Sequence, residues 1–413
     1  MLMDVSGSNT ESELLNVASK GVRDVSRKEC DSKDTSSWGQ AILIPGLSND
    51  VAQLCLAKLA RVTLPKLRAV CTAWRRLCES KDFWDLRYKV GSDEAWLYVL
   101  TEKPSGSPFK AFSPHLNKWF ELPQMITSLE DYRLQGFTCV GLGPRLLVMG
   151  GIHQSFENIR QDHSPGIVSG DVRVYNACTN QWTKAPNMKT PRSWFAAAVI
   201  GQCVYVAGGQ GKDRFLNSVE VYDLQTNRWS YASDMHHVRS SCYGLAVQGK
   251  FWIIGGELMR NQYGERPERG SAEVYDPDTG LWTLIPEMWL DTQKVPGPST
   301  VHCGKILFAH KSKLMVYDDV ANNWYHVGYL PGADLYNDRI VRYGFACESI
   351  DDELYIVGGL SGQKQNRNFL QALNTTEVGK VRLEGPSKYT LWQDMANMGA
   401  SEGVVLASAV VRL

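Results

Sequence analysis

The side chains best suited to ligand chemistry in this sequence are arginines in two kinds of connecting segment. One kind follows a pair of glycines, and the other leads into the next apolar strand. Guanidinium groups around a pocket bind carboxylates and phosphates through paired hydrogen bonds, so they suit acidic or phosphorylated peptides. The residues predicted to contact such a target are Arg192, Trp194, Arg239, Arg260, Arg266 and Arg339.

The acidic residues of the same segments leave a second interpretation open. Segment 257–271 holds Glu257, Glu265 and Glu268 among its arginines. These charges can pair with one another at the surface and leave no guanidinium free for a ligand. The sequence by itself does not decide between a peptide-binding surface and a set of internal ion pairs.

Motifs of the common enzyme classes are missing from the sequence. It contains no phosphate-binding loop, dinucleotide-binding turn, serine-hydrolase elbow or zinc-protease helix motif. His236 and His237 are adjacent in a connecting segment, but two neighbouring histidines do not make a metal site without further ligands. We therefore predict no catalytic residue, no metal and no cofactor, and expect a chain that is not an enzyme.

Charge and cysteine content narrow the classes of partner. The 413 residues include 44 acidic and 44 basic side chains, so electrostatics gives no reason to expect nucleic acid or an anionic membrane as partner. No apolar run approaches the ~20 residues of a membrane-spanning helix, and the N-terminus lacks a signal-peptide layout. Ten cysteines without a C-x-x-C pair favour buried thiols in a reducing compartment, including Cys303 in a predicted strand. An intracellular protein of the nucleus or cytoplasm is expected.

A repeated frame positions the arginine-bearing segments. A strand ends in Tyr followed by Asp or Asn, a polar turn follows, and a Trp stands seven residues after the Tyr; the copies are at 175–182, 222–229, 275–282 and 317–324, with Phe for Tyr at 112–119. An apolar strand ending in a glycine pair precedes the frame at 146–151, 204–209, 251–256 and 354–359. Four short antiparallel strands in each unit are typical of a blade of a β-propeller.

These landmarks resemble kelch repeats over residues 91–413. The resemblance implies a propeller of about six four-stranded blades, with units at 133–188, 192–235, 239–288, 296–331 and 339–395 and a shared blade at 93–123 plus 402–413. The unit 93–123 lacks a glycine pair, so we expect two strands from it and two from the C-terminal segment. Such sharing would close the ring and remove exposed sheet edges.

Residues 41–90 have a helical period instead. An apolar segment 42–47 precedes a helix that Ser48 or Asn49 can cap, and Ser80 can cap a third, short helix. One apolar stripe predicts a continuous second helix capped by Thr63; its members are Leu64, Leu67, Val70, Cys71, Trp74, Leu77 and Cys78. Residues 1–40 are polar and charged, which predicts a disordered tail.

This helical stretch resembles an F-box, most closely that of plant proteins that also carry kelch repeats. The resemblance rests on LIPGL at 43–47, DVA at 50–52, CL at 55–56, and Leu67, Val70, Cys71, Trp74 and Leu77. Ser48 stands where the family usually has Pro. The resemblance implies that a Skp-type adaptor would contact Ile44, Pro45, Leu47, Val51, Leu54, Leu56, Leu67, Val70 and Trp74.

The fold expected from both resemblances is a multidomain chain, a small α domain followed by an all-β propeller. The function that they imply is the substrate-recognition subunit of an SCF-type ubiquitin ligase, which reaches a cullin-based ligase through the Skp-type adaptor. The propeller would bind an unknown target protein for ubiquitination and proteasomal degradation. The alternative is a kelch interaction scaffold that sequesters or tethers a partner protein without a ligase.

Overall fold

The computed structural model describes residues 42–101, 109–125, 132–155, 166–258, 270–289, 297–310, 312–332, 340–363, 366–383, 390–399 and 404–413. The predicted tail at 1–40 lies outside these residues. The described chain forms two compact units. One contains the residues up to Glu94 together with Ala177–Thr179 and Leu413, and the other contains the remaining residues from Ala95 onward.

The first unit is helical. Its elements are α1 (Asn49–Ala57), a 3-10 turn (Arg61–Thr63), α2 (Leu64–Val70), α3 (Thr72–Glu79) and α4 (Lys81–Lys89). Ser48 caps α1, because its Oγ accepts a hydrogen bond from the Val51 amide at 3.5 Å. Ser80 caps α4 in the same way through the Phe83 amide at 3.3 Å. Both caps agree with the sequence prediction.

The predicted second helix is wrong in its continuity. Cys71 is extended, with φ −159° and ψ 169°, and it separates α2 from α3. Its Sγ accepts a hydrogen bond from the Trp74 amide at 3.5 Å, so Cys71 acts as the cap of α3. Thr63 does not cap α2, because its hydroxyl donates to the Ala60 carbonyl at 2.6 Å. The apolar stripe survives the break because both short helices bury it in one core.

That core holds the residues that point inward from every helix. Trp74 is central, and its indole Nε1 donates to the Leu43 carbonyl at 2.7 Å, which fixes the segment before α1. Arg87 is fully buried and its guanidinium donates to the carbonyls of Ala57 and Leu59. The buried apolar members are Ile44, Ala52, Leu56, Ala57, Leu64, Leu67, Trp74, Leu77, Cys78 and Phe83.

The second unit consists of antiparallel sheets, and six of those in the described chain have four strands. Sheet 1 contains β1 (Ala95–Thr101), β2 (Lys110–Ser113), β3 (Lys118–Glu121) and β32 (Val405–Arg412). Sheet 2 contains β5 (Thr138–Leu142), β6 (Arg145–Met149), β9 (Val172–Asn176) and β10 (Gln181–Ala185). Sheet 3 contains β11 (Ala196–Ile200), β12 (Cys203–Ala207), β13 (Val219–Asp223) and β14 (Arg228–Tyr231).

The other three large sheets follow the same order along the chain. Sheet 4 contains β16 (Tyr243–Val247), β17 (Lys250–Ile254), β19 (Ala272–Asp276) and β20 (Leu281–Ile285). Sheet 5 contains β21 (Ser299–His302), β22 (Lys305–His310), β23 (Lys313–Asp318) and β24 (Asn323–Tyr329). Sheet 6 contains β26 (Ala346–Ile350), β27 (Glu353–Val357), β30 (Thr376–Gly379) and β31 (Trp392–Asp394). These sheets are consistent with a kelch propeller.

Short pairings, here called rim ribbons, join the segment before a sheet to the segment after its glycine pair. They involve β4 (Tyr132–Gln135), β7 (Ile152–Ser155) and β8 (Ile167–Val168) at sheet 2, and β15 (Arg239–Ser240) and β18 (Glu257–Leu258) at sheet 4. Sheet 6 has β25 (Ile340–Tyr343), β28 (Leu360–Gln363) and β29 (Asn366–Ala372). Sheet 3 has two isolated bridges, Ser193 to Gln210 and Gln210 to Phe215. The segment that leads into a sheet and the segment that follows its glycine pair therefore lie side by side.

Sheet 1 combines both ends of the second unit, but not in the predicted proportion. The N-terminal region supplies three strands and the C-terminal segment supplies one, in the order β3-β2-β1-β32. β32 runs antiparallel to β1 from Ala95 opposite Arg412 to Thr101 opposite Val405. The prediction of two strands from each end is wrong, because the described C-terminal residues form one long strand without an internal turn.

The Tyr-to-Trp frame joins neighbouring sheets. The Tyr222 hydroxyl donates to Asn227 Oδ1 at 2.6 Å and closes the turn, while its ring lies 5.2 Å from that of Trp229. Each frame Trp, and likewise Trp392 at the start of the fourth strand of sheet 6, donates its indole N–H to a backbone carbonyl at the end of the preceding sheet. The pairs are Trp182 with Pro123, Trp229 with Pro186, Trp282 with Ser233, Trp324 with Met288, Trp392 with Tyr329 and Trp119 with Ala396.

The position of Cys303 differs from the prediction. Cys303 is exposed in the turn between β21 and β22, so its predicted place in a buried strand is wrong. The turn takes a positive φ of 48° at this residue, which places the thiol in solvent. No helix in the described residues is long and apolar enough to cross a membrane.

Candidate functional site

The residues predicted to contact an adaptor fall into two groups in the helical unit. Ile44, Leu56, Leu67 and Trp74 are buried in the core, and Val70 packs against it. The exposed group consists of Pro45, Leu47, Val51 and Leu54, of which the last three are 39%, 45% and 39% exposed. The first group therefore stabilises the core of the helical unit. Of the two groups, only the second has apolar side chains that a partner could contact.

The exposed group follows from the geometry of α1. Ala52 and Leu56 face the core, so Val51 and Leu54 face away from it. Leu47 lies two residues before the helix, and its side chain is exposed as well. Ile42, which was not among the predicted adaptor contacts, is 73% exposed. We call the exposed apolar residues Ile42, Pro45, Leu47, Val51 and Leu54 the apolar face; exposed apolar patches mark protein contacts.

Arg192 lies in the segment before sheet 3, four residues ahead of β11, and is fully buried. Its Nη1 donates to the carbonyls of Gly208 and Ser218 at 2.8 and 3.0 Å. Its Nη2 donates to Glu220 Oε1 at 2.7 Å, and this carboxylate is also fully buried. Glu220 in turn accepts from the backbone amides of Lys189 and Thr190, so the charge of each partner is compensated inside the protein.

The same cluster recurs in sheets 4 and 6. Arg239 donates to the carbonyls of Gly255 and Ser271 and to Glu273 at 2.8 Å. Arg342 donates to the Gly358 carbonyl, to Thr375 Oγ1 and to Glu377. In all three copies the arginine stands 16 residues before the first glycine of the pair. The hydroxyl residue directly precedes the third strand and the glutamate lies two residues later in that strand, so both side chains point to the same face, towards the guanidinium.

These positions correct the predicted target-binding set. Arg192 and Arg239 have no exposed surface and bind their own carboxylates, so a direct target contact does not fit their geometry. The arginine that matches them in the last unit is Arg342, three residues after the predicted Arg339. The 16-residue spacing to the glycine pair was the signal that could have found it. Arg260, Arg266 and Arg339 lie outside the described residues, so their role stays a prediction.

Trp194 is the remaining member of that set, and it is available for contact. Its side chain is 45% exposed, and its backbone has a φ of +54°, which a bulky residue rarely adopts. The equivalent residue is Gly136 in sheet 2, Ser241 in sheet 4 and Gly344 in sheet 6, all with positive φ. The Trp194 amide donates to the Gly136 carbonyl at 2.7 Å, so the ring is held beside the preceding rim ribbon.

His236 and His237 serve the buried Glu273 and do not form a metal site. Their Nδ1 atoms lie 3.1 and 3.3 Å from the two carboxylate oxygens. Burial raises the pKa of Glu273, but Arg239 and the hydrogen bonds outweigh burial and hold that pKa below its ordinary value. Across the described residues no group of three His, Cys, Asp or Glu side chains is placed to hold a metal ion.

Comparisons with known proteins agree with both units. The F-box domain model matches residues 44–86, and the model described as the KLHDC2/KLHL20/DRC7 Kelch-repeats domain matches residues 109–317. F-box/kelch-repeat protein At1g16250 of Arabidopsis thaliana is 29% identical over 77% of this chain and 83% of its own length. SKIP30 from the same plant is 26% identical over 88% and 95%. At1g67480 is 33% identical, over 58% of this chain and 61% of its own length.

The two resemblances drawn from the sequence are thereby confirmed. Domains of both families are generally non-catalytic and mediate protein contacts, and neither match indicates an enzyme family. F-box domains typically bind Skp-type adaptors, and kelch domains typically bind target proteins.

Proposed function

Because this chain belongs to the plant F-box/kelch-repeat proteins, we propose that it is the substrate-recognition subunit of an SCF-type ubiquitin ligase. The apolar face of the helical unit docks on a Skp-type adaptor, and through it on a cullin-based ligase of the nucleus or cytoplasm. The kelch unit binds a target protein for ubiquitination and proteasomal degradation. The chain performs no bond chemistry of its own and contributes proximity and orientation.

The observation that carries this proposal is the exposure of Leu47, Val51 and Leu54 in a helical unit whose core is otherwise well packed. Nothing in the fold of the helical unit requires these side chains, since the core is complete with Leu56, Leu67 and Trp74. Exposed apolar residues at and before α1 favour aggregation unless a partner covers them. A Skp-type adaptor is the partner that F-box domains typically bind.

We also infer that the six four-stranded sheets are the blades of one closed ring. In support, β32 pairs with β1, and the Trp119 indole donates to the Ala396 carbonyl at 2.8 Å. The first strands of the sheets also contact each other in order, from β5 through β11, β16, β21 and β26 to β32, which contacts β5. In such a ring the rim ribbons share one face, and Trp194 on that face is our candidate anchor for the target.

The experiment is co-purification of the full chain with a Skp-type adaptor. Wild-type protein is expected to form the complex, and Leu47→Asp and Val51→Asp are expected to lose it, because a carboxylate would be buried in the apolar contact. Val320→Asp is the matched control, since Val320 is 94% exposed and lies far along the chain in the turn between β23 and β24. Absence of the complex with folded wild-type protein would end the ligase proposal.

Target turnover separates the ligase from the scaffold alternative. A receptor subunit shortens the half-life of the protein that it binds, and Val51→Asp should lengthen that half-life as proteasome inhibition does. A bound protein whose half-life ignores both treatments would point to a scaffold that tethers or sequesters it.

A further inference from the structure

Sheet 2 lacks the buried arginine cluster of sheets 3, 4 and 6. The strand register makes Leu134 the equivalent of Arg192, because Thr138 faces Met149 as Ala196 faces Ala207. Val172 faces Met149 as Val219 faces Ala207, so Asp171 and Arg173 replace Ser218 and Glu220. The carbonyl of Gly150 consequently faces no guanidinium from the residue before the sheet. A side chain that fills this space in three sheets is absent here.

A cleft occupies the vacated space. Its walls combine apolar and polar groups: Met125, Leu134, Val148, Gly150, His153, Asp171 and Arg173. His153 faces Leu134 across the rim ribbon and is 8% exposed. Its ring has no hydrogen-bond partner among the residues that the structure describes. Burial lowers the pKa of His153, so the neutral ring offers one N–H donor near pH 7.

The hydrogen-bond donors that line the cleft have fewer partners than its acceptor, the Asp171 carboxylate. Arg173 has an ion pair with Asp171 at 3.6 Å and, within the described part of the chain, no hydrogen bond from its guanidinium. Asp171 accepts from Asn187 Nδ2 at 2.9 Å and has Lys184 Nζ at 3.5 Å. One carboxylate thus faces two cations. A bound group with negative charge would balance the second cation. It would also accept hydrogen bonds from the Arg173 guanidinium and the His153 ring.

We propose that this cleft binds an acidic group of the target protein, a carboxylate or phosphate held by Arg173 and His153. The side chain that carries the group packs on Met125, Leu134 and Val148. The proposal rests on the proposed function, because it assigns one contact of the target that the kelch unit is proposed to hold. The proposal also assigns target binding to Arg173, whose side chain is 18% exposed, in place of the fully buried Arg192 and Arg239.

A basic target residue is the competing occupant, since a guanidinium fills this space in sheets 3, 4 and 6. The glutamate that compensates that guanidinium is replaced here by Arg173, which would repel it. Lys184 adds a second positive charge beside Asp171. The observations therefore favour an acidic occupant.

The test is NMR of the full chain with carbon-13-labelled histidines, of which the sequence has 8. His153→Gln identifies the signal of residue 153. Acetate, inorganic phosphate and guanidinium ions are titrated separately, with sodium chloride at matched ionic strength as the reference. We expect acetate or phosphate to shift the His153 signal to saturation, and chloride to have no such effect. Saturation by phosphate alone would assign a phosphorylated residue, and saturation by acetate an aspartate or glutamate.

Variants connect the response to the cleft. Arg173→Ala should weaken anion binding at least about tenfold, because the charged donor is lost. Arg173→Lys keeps the charge without the paired geometry and should weaken it less. Arg228→Ala, at an exposed arginine in β14, is the matched control and should change nothing. Circular dichroism of each variant confirms that it is folded.

Several results would overturn the inference. They are the absence of saturation by either anion, an equal response to chloride, unchanged affinity in Arg173→Ala, or a stronger response to guanidinium than to acetate. Adaptor capture measured on the same samples keeps the two proposals apart. If the cleft binds no anion but the protein still captures the adaptor, only the assignment of the cleft is wrong. If wild-type protein does not capture the adaptor, the ligase proposal is wrong.

Discussion

Arg192 and Glu220 form an ion pair in which neither side chain reaches solvent, with 2.7 Å between Nη2 and Oε1. The pair links the segment before sheet 3 to the third strand of that sheet. The repeats at Arg239 with Glu273 and Arg342 with Glu377 show that the arrangement is a structural part of the unit. It anchors the connecting segments that carry the rim ribbons.

Loss of one partner from such a pair should destabilise the fold strongly. Arg239→Met leaves Glu273 buried without its guanidinium and should cost about 3–5 kcal/mol of unfolding free energy. Arg239→Met combined with Glu273→Leu should recover most of that loss, because no uncompensated charge remains. Thermal unfolding measures both effects, and the exposed Arg228→Met is the control. A loss below about 0.5 kcal/mol in Arg239→Met would contradict the structural role.

The frame tryptophans should matter for stability in proportion to their burial. Trp229→Ala removes a buried ring and the hydrogen bond to the Pro186 carbonyl, and should cost about 3–5 kcal/mol. Trp229→Phe keeps the ring contact and should cost less. Trp194→Ala, at a half-exposed tryptophan with positive φ, is the control and should change stability by about 1 kcal/mol or less. Equal melting temperatures for Trp229→Ala and Trp194→Ala would be inconsistent with the frame's joining role.

Glu348 should make the kelch unit less stable as the pH rises. Burial raises the pKa of its carboxyl from the ordinary 4.5 to about 7, against a hydrogen bond from Ser408 that lowers it. Between these two values the unfolded chain releases a proton that the folded chain retains, so unfolding free energy falls as pH increases. The penalty is complete above pH 7 and amounts to about 3 kcal/mol at most.

Glu348→Gln tests this dependence. The variant should lose the fall in stability from pH 4.5 to pH 7 and should exceed wild type in melting temperature at pH 8. Asp394→Asn, at an exposed carboxylate in β31, should keep the wild-type profile. A pH profile that is the same in Glu348→Gln and wild type would show that the carboxyl is not the group responsible.

Gly141 should tolerate no larger residue, because β5 and β32 approach closely at the seam of the proposed ring. A Cβ at this position would lie 1.9 Å from the Val410 carbonyl oxygen, so Gly141→Ala must push the strands apart. We expect a loss of at least about 2 kcal/mol, measured by thermal unfolding. Gly143→Asn, two residues away, has open space and a φ of +53° that Asn accepts, so it should be nearly neutral. A neutral Gly141→Ala would argue against the seam.

Much of the fold could be predicted because its signals are local. The Tyr-to-Trp frame encodes a turn in which Asn227 lies five residues after Tyr222, and the sequence shows both. The caps at Ser48 and Ser80 are likewise decided within three residues. The break at Cys71 was missed because the apolar period continues through it, and only backbone geometry separates the two short helices.

The candidate site was harder to predict, because exposure depends on what packs against each side chain. In the helical unit the sequence defined one apolar set, and packing buried Leu56 and Trp74 while it left Leu47 and Val51 exposed. Arg192 and Arg239 looked like surface arginines, since their partners Glu220 and Glu273 are distant along the chain. Arg173 was not selected, because its role depends on the absence of an arginine at residue 134.

The sequence alone determined that this chain is a helical F-box followed by kelch units, because period, turn chemistry and glycine pairs repeat within short windows. Tertiary structure decided which charges are internal and which remain for a target. That choice depends on strand register, which brings residues 192 and 220 together and leaves residues 134 and 173 beside an open cleft. Register joins residues far apart in the chain, and no local pattern records it.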